Sequence, residues 1–459
     1  MKVNMQNSQI KDFTKGNITR HLIIFAWPLL LSNILQVVYS MVDMIVVGHE
    51  MGEMGISAVS VGGDVTNLLT FIGMGFASAG QILIARFIGA GQRHKIGKFV
   101  GTMSSFLFLC AVIISSLGLV FQDFMLDIMN TPEEALTEAA AYSRVCMIGL
   151  VFIYGYNVVS AILRGMGDSK HPLIFIGVST VINIVLDIIL VKDHGAFGAA
   201  IATVISQAVS FISCTIFLVI KRREFELNTK INDFIKWDKN MLKAFVSLGS
   251  PMAIKFASVQ VSKLFVNAFI NDYGVAVSAF SGIANKLASV VNLFSNAFNT
   301  AGSTMVGQNL VAGKFDRVRR IMRDVLFITL AIVIIFSTVI VISPEKIFGL
   351  FADETSADAL RLSGEYVPIA LMMFLASSLR AVMNALINGS GHTMINFATA
   401  ILDGIVLRIG LAVLLGLVFD MGYFGFWLGD AIAGFTPFWI GIIFYFSGKW
   451  KKCTAKAEK

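Results

Sequence analysis

Asp43, Asn183 and Asp187 stand near the ends of two long apolar stretches, where a bilayer makes a carboxylate or an amide expensive and therefore functionally suspect. The stretches concerned are residues 20–48 and 172–191, and a third, 197–220, contributes Thr203. Counted from the stretch ends, Asp43 lies about five residues inside, Asp187 about four, Asn183 about eight and Thr203 about six, so the four share one depth at ~1.5 Å per residue. Asn183 and Asp187, four apart, also share one helix face. Two neighbouring carboxylates in a low-dielectric cavity resist double ionisation and titrate as a unit. A proton or a sodium ion then competes with a cationic molecule for one negative charge. Each residue taken singly also suits a satisfied structural position against a helix neighbour, a reading that the shared depth weakens.

The elements that must position these groups follow from composition. The chain has 459 residues, of which 56% are hydrophobic and only 14% charged, with a mean hydropathy of +0.77. That is too apolar for a water-facing surface and indicates an all-α polytopic membrane protein without strands. Polar breaks divide it into apolar stretches at residues 20–48, 55–85, 99–121, 140–163, 172–191, 197–220, 243–271, 274–309, 321–343, 363–388, 395–419 and 423–447. Each supplies the roughly 20 residues a spanning helix needs, giving twelve transmembrane helices. Pro28, Pro251, Pro368 and Pro437 lie inside stretches, and Pro28 marks a bend site, or an ordinary static kink, in the first helix.

Net charge is +7, but its distribution follows membrane topology and not a nucleic-acid footprint. Lys and Arg cluster at Lys2 to Arg20, Arg86 to Lys98, Arg164 to Lys170, Lys221 to Lys243, Lys314 to Arg323 and the tail. The alternate loops carry Glu50, Glu53, Asp123, Asp127, Glu133, Glu134, Glu138, Glu345, Asp353, Glu354 and Asp358. The positive-inside rule places both termini in the cytoplasm and makes the number of spans even. The polar residues before Arg20 do not read as a signal peptide. Cys110, Cys146, Cys214 and Cys453 show no CxxC spacing, and the six His show no HxxxH pair, so no thiolate, zinc or cofactor site is expected.

The sequence is also written twice. Trp27-Pro28, Ala79-Gly80 and Ala90-Gly91 return as Ser250-Pro251, Ala301-Gly302 and Ala312-Gly313, 222 or 223 positions later. Arg164-Gly165-Met166-Gly167-Asp168-Ser169 returns as Asn388-Gly389-Ser390-Gly391-His392-Thr393 after 224. This predicts two pseudo-symmetric six-helix lobes around a central cleft: residues 1–220, a cytoplasmic linker at 221–242, and residues 243–459 with a basic tail. Duplicated halves suit alternating access.

Pro28, Gln36, Tyr39 and Asp43, the run Gly80-Gln81 to Gly91, Leu163 to Ser169, Asn183 to Asp187, and Gly198-Ala199-Ala200-Ile201-Ala202-Thr203 together resemble the multidrug and toxic compound extrusion (MATE) transporters, over nearly the whole chain. The resemblance is closest to the bacterial DinF-like branch. It implies that Asp43, Asn183, Asp187 and Thr203 form one hydrogen-bonded coupling cluster, with Na⁺ possible at Asp43, Asn183 and Asp187, and that Gln36, Tyr39 and Asn157 line a drug cavity. Gln260 and Lys263 of helix seven are further substrate-cavity candidates; a second branch relies on a glutamate in that helix, and here no acid occurs between Pro251 and Asn271. Asp64, Lys255, Lys263, Lys286, Arg380, Arg408, Asp403 and Asp430 also fall within apolar stretches, so the second half holds more bases than acids. Pairing and snorkelling account for such groups; a substrate bearing an acidic as well as a basic group is the sharper alternative.

The resulting expectation is a non-enzymatic antiporter, coupled to H⁺ or Na⁺, that exports small amphipathic, mostly cationic compounds and works as a monomer in the bilayer. A flippase for lipid-linked precursors would favour a more basic cavity and fourteen spans. An intramembrane polyprenyl-phosphate transferase would need large loops with paired acids or a phosphate cradle, which are not found.

Overall fold

The computed structural model describes residues 9–129, 131–342 and 357–452. Lys2, Glu345, Asp353, Glu354 and Cys453, used in the charge and cysteine readings, lie outside them. The described chain is helical, with no strand: α1 Ile18–Gly89, α2 Ile96–Val120, α3 Gln122–Ile128, α4 Glu133–Ile148, α5 Leu150–Gly165, α6 Lys170–Ile220, α7 Ile231–Ile235, α8 Lys239–Asn271, α9 Val275–Val311, α10 Phe315–Ile342, α11 Ala357–Ser390, α12 Thr393–Val418 and α13 Gly422–Phe446.

Eight of these helices are long and apolar enough to cross a membrane, and α4 with α5, bent by 48°, makes a ninth span. Two of the eight are double. A straight helix of 72 residues, the length of α1, would run about 108 Å, more than three times the ~30 Å hydrocarbon core. The backbone leaves helical geometry at Gly52 (φ 67°) in α1 and at Gly195 (φ 55°) in α6, in the left-handed region that only glycine enters cheaply. Each long helix is therefore a pair of spans turned at a glycine. With α9 as a further span, the chain is a twelve-span, all-α polytopic membrane protein, six spans to each half. Large apolar side chains such as Ile188, Ile334 and Ile443 stand exposed on its outside, as a lipid-facing surface requires.

The duplication is visible in the backbone. Left-handed residues recur in register at Gly52 and Gly274, Gly91 and Gly313, Gly167 and Gly391, and Glu226 and Gly448. Span-by-span, α9 matches residues 53–89 after a shift of 222.

The helices group into two compact units. The first holds Trp27–Ala253 with the described residues up to Asp12; the second holds Phe13–Ala26 and Ile254 onward. Within the first, Phe99 and Phe245 are buried edge-on at 5.8 Å, and the half-buried Phe76 and Phe106 pack against them. Within the second, the backbone of Phe13 bonds Gln308 and Asn309, and Thr19 donates to Asp324 at 2.7 Å.

Three sequence features resolve into structural roles. Asp168 of the Arg164–Ser169 motif caps α6: its Oδ1 accepts from the N–H groups of Lys170 (3.0 Å) and His171 (3.2 Å). The acidic segment between the third and fourth stretches is largely helical, with α3 and the start of α4 in it. Glu133 and Glu134 occupy the first turn of α4, where the helix dipole favours negative charge. The basic segment at 221–242 folds back on α2 through α7. Trp237 Nε1 donates to Ser105 Oγ at 2.8 Å and Lys98 pairs with Asp238 at 2.7 Å. The Lys98 ammonium, helped by the N–H of Met241, holds the Asp238 carboxyl below its usual range.

Candidate functional site

The inward position of the polar groups is set by helix periodicity. Along α6, Val181, Val185, Ile188 and Ile189 are exposed, whereas Thr180, Asn183, Asp187 and Val191 are buried. One face meets lipid and the opposite face carries the amide and the carboxylate into the first unit. After the turn at Gly195 the helix returns, and Thr203, Ser206, Gln207 and Ser210 line its buried side. Ser179 Oγ donates to the Ser206 carbonyl at 2.8 Å, locking the two limbs together. Asp43 comes from α1.

These elements bring all four coupling candidates into one place. Asp43 is 3% exposed and Asp187 0%, which is the environment in which an unpaired ionised carboxylate is least tolerable. Asp43 faces Asp187 and Asn183 at short range, and Thr203 Oγ1 donates to Asp43 Oδ2 across a long 3.5 Å. Two ionised carboxylates have no proton to share. One oxygen of Asp43, both of Asp187 and both amide atoms of Asn183 make no aligned hydrogen bond among the described residues. Buried polar atoms are normally satisfied, so five orphans in one cluster need an explanation. A proton between the acids, or a small cation ligated by carboxylate, amide and hydroxyl oxygens, fits this donor set. A nitrogen- or sulfur-preferring metal does not; among the described residues no three His, Cys, Asp or Glu group as a metal site.

Around the acids sit residues that the sequence did not single out. Tyr142 is buried beside Thr203 and Cys146, and Gln207, one turn from Thr203, faces Tyr39. The four-residue spacing of Thr203 and Gln207 was the available signal for the second. Tyr142 had none, because a tyrosine near the start of an apolar stretch does not stand out from its neighbours.

Of the cavity candidates, Tyr39 lies against Asp43 and Gln36 is half-buried. Asn157 spends its amide on the carbonyl of Ile153 in its own helix, at 2.9 Å. Pro28 is half-buried within a helix that stays regular through it, and Ser32 Oγ donates to the Pro28 carbonyl at 2.8 Å. Asp64 is exposed and has no hydrogen-bond or ion-pair partner among the described residues.

The second unit carries no copy of the acid pair. Shifted by 222, Asp43 corresponds to Phe265, and shifted by 224, Asn183 and Asp187 correspond to Leu407 and Leu411. Its polar groups lie elsewhere. Arg408 is bridged by Asp403 at 3.2 Å and by Asp430. A π-helical turn over Leu402–Val406 sets Asp403, and the Gly404 carbonyl of that turn accepts from Ser262 of α8. Gln260 and Lys263 lie on α8 within two turns of Asn267, which lines a cavity of about 20 Å³ with Ser281, Asn285, Tyr366, Trp427 and Asp430. Lys286 is exposed.

Comparison with known proteins follows the repeat. The MatE family model matches residues 28–189 and again 251–414. The probable multidrug resistance protein YoeA of Bacillus subtilis is 29% identical over 445 residues, 96% of each chain. The multidrug export protein MepA of Staphylococcus saprophyticus is 24% identical, covering 90% of this chain and 91% of its own. Among solved structures, the outward-facing conformation of a multidrug resistance MATE family transporter of the MOP superfamily superposes with a TM-score of 0.87 at 21% identity, over 98% of this chain and 100% of that one.

Proposed function

This chain belongs to the MatE family, a family of transporters and not of enzymes, and from that membership we propose that it is an ion-coupled antiporter of the DinF-like type. It exports amphipathic, mostly cationic organic compounds across the bacterial cell membrane by alternating access, as a monomer with both termini in the cytoplasm. The observation that carries the coupling is the buried Asp43–Asp187 pair with its unsatisfied oxygens and the Asn183 amide beside it. An entering proton or Na⁺ neutralises charge that a cationic cargo would otherwise use, so the two occupy the site in exclusive turns. The family membership and the relatives named for multidrug export support drug efflux over a lipid-precursor flippase.

Proteoliposomes test this directly. With a lumen loaded with protons, or separately with sodium, relative to the bath, a fluorescent cationic dye is expected to accumulate under one gradient and to stop when that gradient is collapsed. Equal uptake with and without either gradient would overturn the antiporter reading.

A further inference from the structure

Four cationic side chains enter the second unit from three helices: Lys255 and Lys263 on α8, Arg380 on α11 and Arg408 on α12. Two carboxylates, Asp403 and Asp430, accompany them, and Arg408 takes both. The other three cations have neutral partners or none. Lys255 Nζ donates to Asn384 Oδ1 at 2.7 Å. Arg380 Nη2 donates at 2.7 Å to Asn292 Oδ1, an oxygen already accepting from Ser377. The remaining guanidinium N–H groups of Arg380 have no acceptor among the described residues, which leaves most of its five donors free. Lys263 makes no hydrogen bond or ion pair among the described residues, and lies within electrostatic range of Arg380, Arg408, Asp403 and Asp430. Formally, four cations against two carboxylates leave an excess of two positive charges.

Snorkelling does not dispose of that excess. Lys255 is sixteen residues from either end of Lys239–Asn271, roughly 24 Å at ~1.5 Å per residue, and a lysine side chain is far shorter. Unpaired cations at such depth are costly and persist where they meet a ligand or pathway. All three stay half-buried and so remain reachable. One turn beyond Lys263, Asn267 borders the small cavity walled by Tyr366 and Trp427, which supplies an apolar, aromatic flank.

We infer that this cluster binds the oxyanion, carboxylate or phosphate, of an amphipathic solute, with Lys263 and the free edge of Arg380 as direct ligands and Lys255 adding field. A planar guanidinium with unfilled donors beside an ammonium is the arrangement that grips such a group. The inference rests on the antiporter reading and narrows its cargo to amphiphiles that carry an acidic group as well as a basic one. The acid pair of the first unit and the basic cluster of the second then handle opposite charges.

The test uses the full chain in phosphatidylcholine nanodiscs, with dansylaminoundecanoate and its neutral carboxamide as matched probes. The carboxylate is expected to bind at least about tenfold more tightly than the amide, and Lys263→Gln to remove about that factor. Lys263 has no bonded partner to orphan, so this variant should fold, and Lys263→Arg should restore the preference. Repeating the titration with phosphatidylglycerol in the disc separates the sources. Loss of dansyl binding there identifies a lipid phosphate as the occupant, and unchanged binding identifies a soluble amphiphile; both support the oxyanion site. Equal affinity for carboxylate and amide, or a wild-type preference in Lys263→Gln, overturns it. Because these titrations need no gradient, their failure is distinct from a failure of ion-driven dye uptake.

Discussion

Asp43 and Asp187 oppose one another with almost no exposure, and the cost of two ionised carboxylates there is what the proposed coupling draws on. Replacing Asp43 by Asn nearly preserves shape and removes one charge. Ion-driven dye transport by Asp43→Asn should therefore fall more than about tenfold, at unchanged expression, with the loss read as about 1.4 kcal/mol or more. The pair should also behave as a unit. Dye binding by Asp43→Asn, Asp187→Asn and the double variant, at fixed sodium, should depart from additivity by about 0.5–3 kcal/mol. Strict additivity would mean two independent structural carboxylates. This much of the site was legible, since intramembrane acids stand out and helix rise converts sequence position into depth. Contact was not legible, because depth says nothing of azimuth. Tyr142 and Gln207 were missed because tyrosine and glutamine carry no comparable penalty signal in an apolar stretch.

Helices in this molecule approach where side chains are absent. At Gly75, in the second limb of α1, an added Cβ would stand 2.4 Å from the backbone of Ala253 on α8. At Gly63, in the same limb, it would meet nothing within 4 Å. Gly75→Val should thus force the helices apart, at a cost of about 1–3 kcal/mol or more. Gly63→Val serves as the control for helix propensity alone. Thermal unfolding in detergent, followed by size-exclusion chromatography, should show Gly75→Val melting well below both wild type and Gly63→Val; equal melting of the two variants would remove the close approach as a stabilising contact. The number of spans was readable from hydropathy. Their continuity was not: the loops after residues 48 and 191 are single glycines inside long helices, and the segment at 122–138 is mostly helix. Short polar connections look alike in sequence whether or not their backbone stays helical, and only the φ of Gly52 and Gly195 tells them apart.

At the scale of the whole chain, duplication has preserved the frame and released the chemistry. The left-handed backbone positions recur in both halves, since a turn tolerates few alternatives. Asp43, Asn183 and Asp187 of one half are replaced by Phe265, Leu407 and Leu411 in the other, whose apolar stretches instead hold more bases than acids. Charge also sets the proposed orientation, and this is separately testable. The segment at 221–242 is rich in Lys and Arg, whereas α4 opens with Glu133 and Glu134, and positive loops are retained in the cytoplasm. Lys230 and Glu134 are both exposed, so cysteines there would be reachable from their own side of the membrane. In a background with all four native cysteines changed to Ser, Glu134→Cys should react in intact cells with a membrane-impermeant maleimide. Lys230→Cys should react only after the membrane is opened. The docking of α7 on α2 does not protect Lys230, which leaves the bilayer as the barrier. The opposite pattern would invert the topology, put the Asp43–Asp187 pair at the cytoplasmic end of its helices, and require the coupling ion to enter the cluster from inside the cell.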